Sequence, residues 1–326
     1  MTISASSGDQ LIHSLRTEQG LQVADPRFGR TTMMGHRRIP DFIVIGSMKC
    51  GTTSLHHYLS LHPQVSVSRP KELCFFVGGS SREDNDPPWG NWWRGEDWYR
   101  SHFDTRRPAC GEVSPAYVGA RWGQQTANRM HHMLPDARLI LLVREPMARL
   151  RSHYLMRRQN ADIGMMSFAE YVTDPRHAGD VAYSDYGSQV ARILACFPLR
   201  SLLVLESADL DHRRAETLAR IFAFIGVDPG FRTSAFDRRL FEGRRRCLPS
   251  PLGELVLRSP LVRLSERVLP FTVHEQVRNM LIAPFRIAKA DLTLPEQIDA
   301  SLRQRFGAEV ALTRRLTRLP LTSLGS

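Results

Sequence analysis

Cysteine is scarce in this chain of 326 residues: there are five, scattered and odd in number, at Cys50, Cys74, Cys110, Cys196 and Cys247. No Cys-x-x-Cys pair and no Cys/His spacing of a zinc site occurs among them, so a disulfide scaffold is excluded and the thiols are expected to be reduced and structural. Long apolar runs are also missing. The longest, such as Leu139–Val143 and Leu202–Leu205, fall far short of the ~18 residues that a membrane-spanning helix needs. Residues 1–20 are polar and lack the basic-then-apolar order of a secretory leader, which makes the cytoplasm the expected compartment. Acidic residues are outnumbered, 33 against 44 Lys and Arg, for a net charge of +11 and a pI near 10.0. The expected ligands are therefore anions: nucleotides, sulfate or phosphate esters, acidic glycans, nucleic acid or an anionic membrane surface.

What is present is enough to fold. A hydrophobic share of 42% over this length supports a sizeable core and rules out a disordered chain. Residues 1–38 are polar, dotted with Arg and without a period, and are expected to form a flexible N-terminal arm. Phe42-Ile43-Val44-Ile45, closed by Gly46, is a continuous run of the kind found in strands buried on both faces. Thr52-Thr53-Ser54 then open a helical period that stops at His62-Pro63. Arg138–Val143 repeats the pattern, with Pro146 placed for a first helical turn. A third strand is expected at Ser201–Leu205, preceded by the periodic segment 184–197 and followed by a helix from Arg213 to Ile225 that ends at Gly226. Strands alternating with helices define an α/β class: a single P-loop-like domain, residues 39–250, with a central parallel sheet flanked by helices. Residues 251–326, with Arg/Leu alternation at Arg303, Arg305, Arg314, Arg315 and Arg318, are expected to form a helical C-terminal extension packed on or near it.

Two segments carry chemistry by their placement. Gly46-Ser47-Met48-Lys49-Cys50-Gly51-Thr52-Thr53-Ser54 lies between a strand and a helix start. Glycines there let backbone amides approach an anion, and the helix end adds about half a positive charge. Lys49 and the hydroxyls of Thr52, Thr53 and Ser54 complete a cradle for a phosphate or sulfate group. A Walker A loop wants lysine directly after its second glycine, but here Thr52 follows Gly51, which disfavours an ordinary nucleotide hydrolase. Arg144, at the end of the next strong strand, is suited to bidentate phosphate binding, with Ser152 on the following helix. Ligands of open parallel sheets sit beyond the carboxyl ends of the strands, so both segments are expected at one crevice.

Together these motifs resemble the sulfotransferases that use 3′-phosphoadenosine 5′-phosphosulfate (PAPS). The resemblance extends to Pro70-Lys71-Glu72-Leu73-Cys74-Phe75-Phe76 and to Gly111-Glu112-Val113-Ser114-Pro115-Ala116-Tyr117, which are similar to segments of the heparan sulfate (Golgi-type) enzymes and their bacterial relatives. Order and spacing agree from residue 40 to about 245. The resemblance implies that Lys49, Cys50, Gly51, Thr52 and Thr53, with Ser54, hold the 5′-phosphosulfate, and that Arg144 and Ser152 hold the 3′-phosphate. It implies that Glu72 is the general base for an acceptor hydroxyl and that Lys49 stabilises the leaving phosphate. The resemblance further implies a basic loop that closes over the nucleotide, with Gly243-Arg244-Arg245 as its counterpart, the alternative for this Arg run being a solvated face. Two positions depart from the family pattern: Val113 stands where a lysine is usual, and Glu145 where Asp is usual.

An unperturbed Glu, with pKa ~4.3, can accept an alcohol proton only as it is released in the transition state. The alternative role of Glu72 is an ion pair with Lys71 or Lys49. Glu112 and Tyr117, with His153 and Tyr154, are expected on the acceptor side, the alternative for Glu112 being a structural carboxylate paired with an arginine. Trp89, Trp92, Trp93 and Trp98 either stack on a sugar face or pin a long loop. The expected partner is a glycan or small-molecule acceptor, with no specific nucleic acid, no metal, and peripheral contact with a membrane surface left open. The competing readings are a P-loop-type kinase or other phosphotransferase and a non-enzymatic basic protein that binds polyanions.

Overall fold

The computed structural model describes residues 40–237, 248–257, 259, 280–281, 283–287 and 290–325. The Gly243-Arg244-Arg245 assignment lies outside these residues. The described residues form two compact units: those within 40–146, 182–237 and 304–325 make the first, and those within 147–181 and 248–303 the second. No helix among the described residues is long and apolar enough to cross a membrane.

The first unit is built on a five-stranded sheet of β1 (Phe42–Gly46), β2 (Val65–Val67), β3 (Ala109–Val113), β4 (Arg138–Val143) and β5 (Leu202–Glu206), in the order β2-β3-β1-β4-β5. Every pairing is parallel. β1 and β3 are buried at all of their positions, and β4 at all but Arg138, because helices flank the sheet. That double burial is why their sequences read as unbroken apolar runs rather than alternations. α1 (Thr52–Ser60), α2 (Gly95–Arg100) and α3 (Gly123–Met133) lie among the first four strands in the chain. β4 leads into α4 (Pro146–Gln159), which passes into the second unit.

The second unit contains α5 (Phe168–Thr173), opened by a capping box between Ser167 and Glu170, and α6 (Ala178–Ala182), whose last residue returns to the first unit. The first unit resumes with α7 (Tyr186–Cys196), β5, α8 (Ser207–His212) and α9 (Arg214–Ile225). α9 ends at Gly226 in the left-handed region (φ 78°), as its position after the last apolar residue requires. β6 (Leu248–Pro249) pairs antiparallel with β7 (Arg286–Ile287) in the second unit, which also holds α10 (Pro251–Leu257).

The final long helix, α11 (Glu296–Thr317), begins in the second unit and ends in the first. There Val310, Leu321 and Leu324 join the main core. Gly187 of α7 allows this packing, since a Cβ there would stand 2.7 Å from the Glu309 carbonyl and from Leu312. Arg305 donates two hydrogen bonds to Asp185 (3.0 and 2.5 Å), and Glu309 accepts from the Ser188 amide and hydroxyl, both at 2.7 Å. Polar bonds thus lock residues 304–325 to the start of α7.

Candidate active site

β1 stands at the centre of the sheet, where the chain order reverses, with β3 on one side and β4 on the other. This is the position at which open parallel sheets bind ligands. Two of the segments singled out in the sequence leave the carboxyl ends of adjacent strands, Lys49 after β1 and Arg144 after β4, and a third, which follows β2, is bonded to the end of β3 by the Glu72 amide, which donates to the Val113 carbonyl (3.0 Å).

The loop after β1 turns tightly. The Ser47 amide donates to Leu142 (2.7 Å), its hydroxyl to Tyr183 (3.1 Å), and the Cys50 amide closes back on Ser47 (3.2 Å). Lys49 sits at φ 70° and Gly51 at φ 92°, both left-handed. Gly51 takes this angle without a Cβ penalty and serves as N-cap of α1 without a capping side chain. The first-turn amides of α1, including those of Thr52, Thr53 and Ser54, have no partner inside the helix, as at any helix N-terminus.

Tyr186 joins this loop to the next one. Its hydroxyl donates to the Arg144 carbonyl (2.9 Å), accepts from the Arg144 amide (3.2 Å), and lies 3.6 Å from the Cys50 sulfur. The residue is fully buried. It lies within the periodic segment 184–197, where a tyrosine is indistinguishable from packing, and its hydroxyl is the only signal of a further role.

Glu72 is held in the left-handed region (φ 64°), as is Cys74 (φ 47°). Its side chain is exposed and forms an ion pair with Lys71. The alternative weighed for it is therefore present in the structure, at a site still open to solvent. Phe75 and Phe76 are fully buried and anchor the segment, as expected; Phe75 stacks on Tyr99 with centroids 4.2 Å apart. Asn91 extends the anchor by donating to the Leu73 carbonyl (2.9 Å) while its amide donates to Cys74 (3.1 Å). In the Trp-rich loop, Trp92 is buried and pins it. Trp89 remains exposed, and Trp93 lies beneath the guanidinium of Arg94 at 4.6 Å.

Glu112 and Tyr117 are not on an acceptor surface. Both are fully buried, because β3 is covered on both faces up to its last residues. No cation pairs with Glu112 among the described residues. Instead it accepts hydrogen bonds from Tyr117 (2.7 Å), Tyr99 (2.8 Å) and Ser114 (3.3 Å). Burial pushes its carboxyl up to about 7, with the three hydroxyls opposing the rise.

Ser152, His153 and Tyr154 stand on α4 in the second unit. His153 and Tyr154 are buried rather than surface-lining: the Tyr154 hydroxyl donates to Met166 (2.8 Å), and His153 contacts Arg149 (3.1 Å) and Asp180 (3.6 Å). Burial alone would raise the Asp180 carboxyl, but His153, Arg157 and the Tyr171 hydroxyl hold it below its ordinary value. Among the described residues no group of three or more His, Cys, Asp or Glu stands where it could hold a metal ion.

A parallel α/β protein thus carries a central-strand loop with an uncapped helix start, an arginine at one neighbouring strand end, and Glu72 bonded through its amide to the other. Residues 40–231 match the family model described as Sulfotransferase family, and the chain belongs to that family. It is similar to bovine bifunctional heparan sulfate N-deacetylase/N-sulfotransferase 2 (27% identity over 246 residues, 66% of this chain and 26% of the relative). It is also similar to the membrane-associated sulfotransferase kil1 of Dictyostelium discoideum, at 37% over 121 residues, 36% of this chain and 22% of the relative. The chain thus spans about a quarter of the length of these curated relatives. A sulfotransferase from Alicyclobacillus acidocaldarius superposes with a TM-score of 0.52 at 25% identity, covering 75% of this chain and 96% of that one.

Proposed function

We propose that this sulfotransferase moves a sulfuryl group from PAPS to a hydroxyl of a carbohydrate acceptor. The observation that carries the reading is the placement of Lys49 and Arg144 at the carboxyl ends of adjacent strands, with the Glu72 amide bonded to the end of β3. The donor set fits the nucleotide: first-turn amides of α1, the Lys49 ammonium and the hydroxyls of Thr52, Thr53 and Ser54 suit the 5′-phosphosulfate. Arg144 at the end of β4 suits the 3′-phosphate. The acceptor oxygen forms its bond to sulfur as the bond from sulfur to the phosphate oxygen breaks. Glu72 takes the acceptor proton as it is released, and Lys49 offsets the charge growing on the departing phosphate. For Glu72 to act, its carboxylate must exchange Lys71 for the acceptor hydroxyl, a small cost for an exposed pair. A carbohydrate is the first acceptor to test because the animal relatives are named for heparan sulfate.

The test is calorimetric titration without metal, using 3′-phosphoadenosine 5′-phosphate (PAP), AMP, and ATP with magnesium. A panel of desulfated heparin, chondroitin and simple alcohols with ³⁵S-labelled PAPS completes it. Selective PAP binding, weakened at least tenfold in Arg144→Ala, supports the donor site. Preference for ATP with magnesium would turn the reading toward a kinase, and binding of long polyanions alone toward a non-enzymatic role.

A further inference from the structure

The buried carboxyl of Glu112 touches neither solvent nor any cation among the described residues, and an apolar side chain of its size would fill the space at lower cost. Its partners give it a use. An ionised carboxylate only accepts hydrogen bonds, so the hydroxyl hydrogens of Ser114 and Tyr117 turn toward it and leave oxygen lone pairs on the far side. Both lone pairs are taken by one short segment: the Cys74 amide donates to Ser114 Oγ (3.2 Å) and the Phe75 amide to the Tyr117 hydroxyl (2.9 Å). With the bond from the Glu72 amide to Val113, three amides within four residues are fixed to the stretch 112–117. They bracket Glu72 and Cys74, two of the non-glycine residues held at positive φ, a backbone that persists only where its surroundings enforce it.

We propose that Glu112 is a positioning residue for sulfuryl transfer: acting through the hydroxyls of Ser114 and Tyr117, it fixes the amides of Cys74 and Phe75 and thereby the attitude of Glu72. This rests on the reading of Glu72 as the base. The charge of the carboxylate polarises both hydroxyls and strengthens their hold on the amides. Once protonated, the carboxyl loses its charge and must itself donate to one of its three hydroxyl partners, Ser114, Tyr117 or Tyr99, so the relay is weakened. The titratable groups facing Glu112 are Tyr99 from α2, Tyr117 from the turn after β3 and the Cys74 thiol from the bound segment. Burial pushes each of them upward, the thiol to about 12, so all three stay neutral while Glu112 titrates.

The experiment uses the full chain with Glu112→Gln, Tyr117→Phe, Glu72→Gln and the double variant E72Q/E112Q. Transfer of ³⁵S from PAPS to O-desulfated heparin gives kcat and KM, calorimetry gives the Kd of PAP, and hydrogen exchange reports the amides of residues 72–77. Glu112→Gln and Tyr117→Phe are expected to lose about tenfold in kcat, the effect of one weakened polar contact in the transition state, with the PAP Kd unchanged within about twofold. Both should exchange faster at Cys74 or Phe75, and E72Q/E112Q should be no slower than Glu72→Gln. Wild-type kcat should rise with pH through about 7, and Glu112→Gln should lack that rise. Unchanged exchange in both variants, or losses that multiply in the double variant, would overturn the proposal. Full kcat in Glu72→Gln, or no transfer at all, would instead sink the base assignment or the transfer reading, leaving exchange to decide whether Glu112 holds the segment.

Discussion

Replacing Glu112 by glutamine should stabilise the protein at alkaline pH while leaving it almost unchanged in acid. The folded state raises this carboxyl from 4.5 to about 7, because burial penalises the charged form more than the three hydroxyls favour it. At about 1.4 kcal/mol per pH unit, that rise corresponds to roughly 3 kcal/mol. A raised carboxyl binds its proton more tightly in the folded state, so its contribution is fully present below about 4.5. It is lost as pH climbs through about 7, where the folded protein must carry a buried charge. Glutamine cannot ionise, yet its carbonyl can accept from Tyr99 and Tyr117, which share one oxygen of Glu112, and its amide can donate to Ser114. The assay is the urea midpoint of both proteins between pH 5 and pH 8.5. The difference should grow in favour of glutamine by up to about 3 kcal/mol across that interval and level off above pH 8. A difference that stays flat with pH would refute the reasoning, since it would mean that Glu112 titrates in its ordinary range or finds a cation in solution.

Lys49→Met should lower transfer by about 10²-fold in kcat, as expected for removing one charge-stabilising group, measured in the ³⁵S assay. Tyr186→Phe removes the hydroxyl shared by both backbone groups of Arg144 and should weaken PAP binding about tenfold by calorimetry. Gly51→Ala forces a Cβ into the left-handed region and should destabilise the fold by about 1–2 kcal/mol in urea titration. Asp180→Asn breaks contacts to Arg157, Tyr171 and His153 and should cost the second unit about 3 kcal/mol at neutral pH. Because that carboxyl is held low, its contribution is present above the unfolded value and fades as pH falls through the folded one. Hydrogen exchange over residues 147–181 should show both effects.

The sheet was legible because β1 and β4 are enclosed on both faces and so must be apolar without interruption. The tight loop between β1 and α1 was legible as a loop because Gly46 and Gly51 bound it and Thr52, Thr53 and Ser54 open the helical period. The same enclosure hid the role of Glu112: a carboxylate at a strand end reads as a crevice residue, and nothing in Gly111–Tyr117 tells that the chain folds over it. Tyr99, which completes its shell, lies in the irregular stretch between β2 and β3, where no period points to a partner 13 residues away. Tyr186 was invisible for the opposite reason, since a tyrosine in helical register looks like packing until its hydroxyl is seen to reach two loops. His153 and Tyr154 follow Ser152 directly, but on a helix adjacent positions face different directions, so neighbourhood in sequence did not carry over to a shared surface.

The bonds that fasten Arg305 and Glu309 to the start of α7 have a consequence for how the protein is made. Ser188 and Glu309 are separated by 121 positions, and Tyr186, which joins the loops after β1 and β4, begins the helix that they brace. On the ribosome, those loops are synthesised long before that brace exists. The two loops should therefore reach their final arrangement only after residue 309 has emerged, among the last features of the first unit to mature.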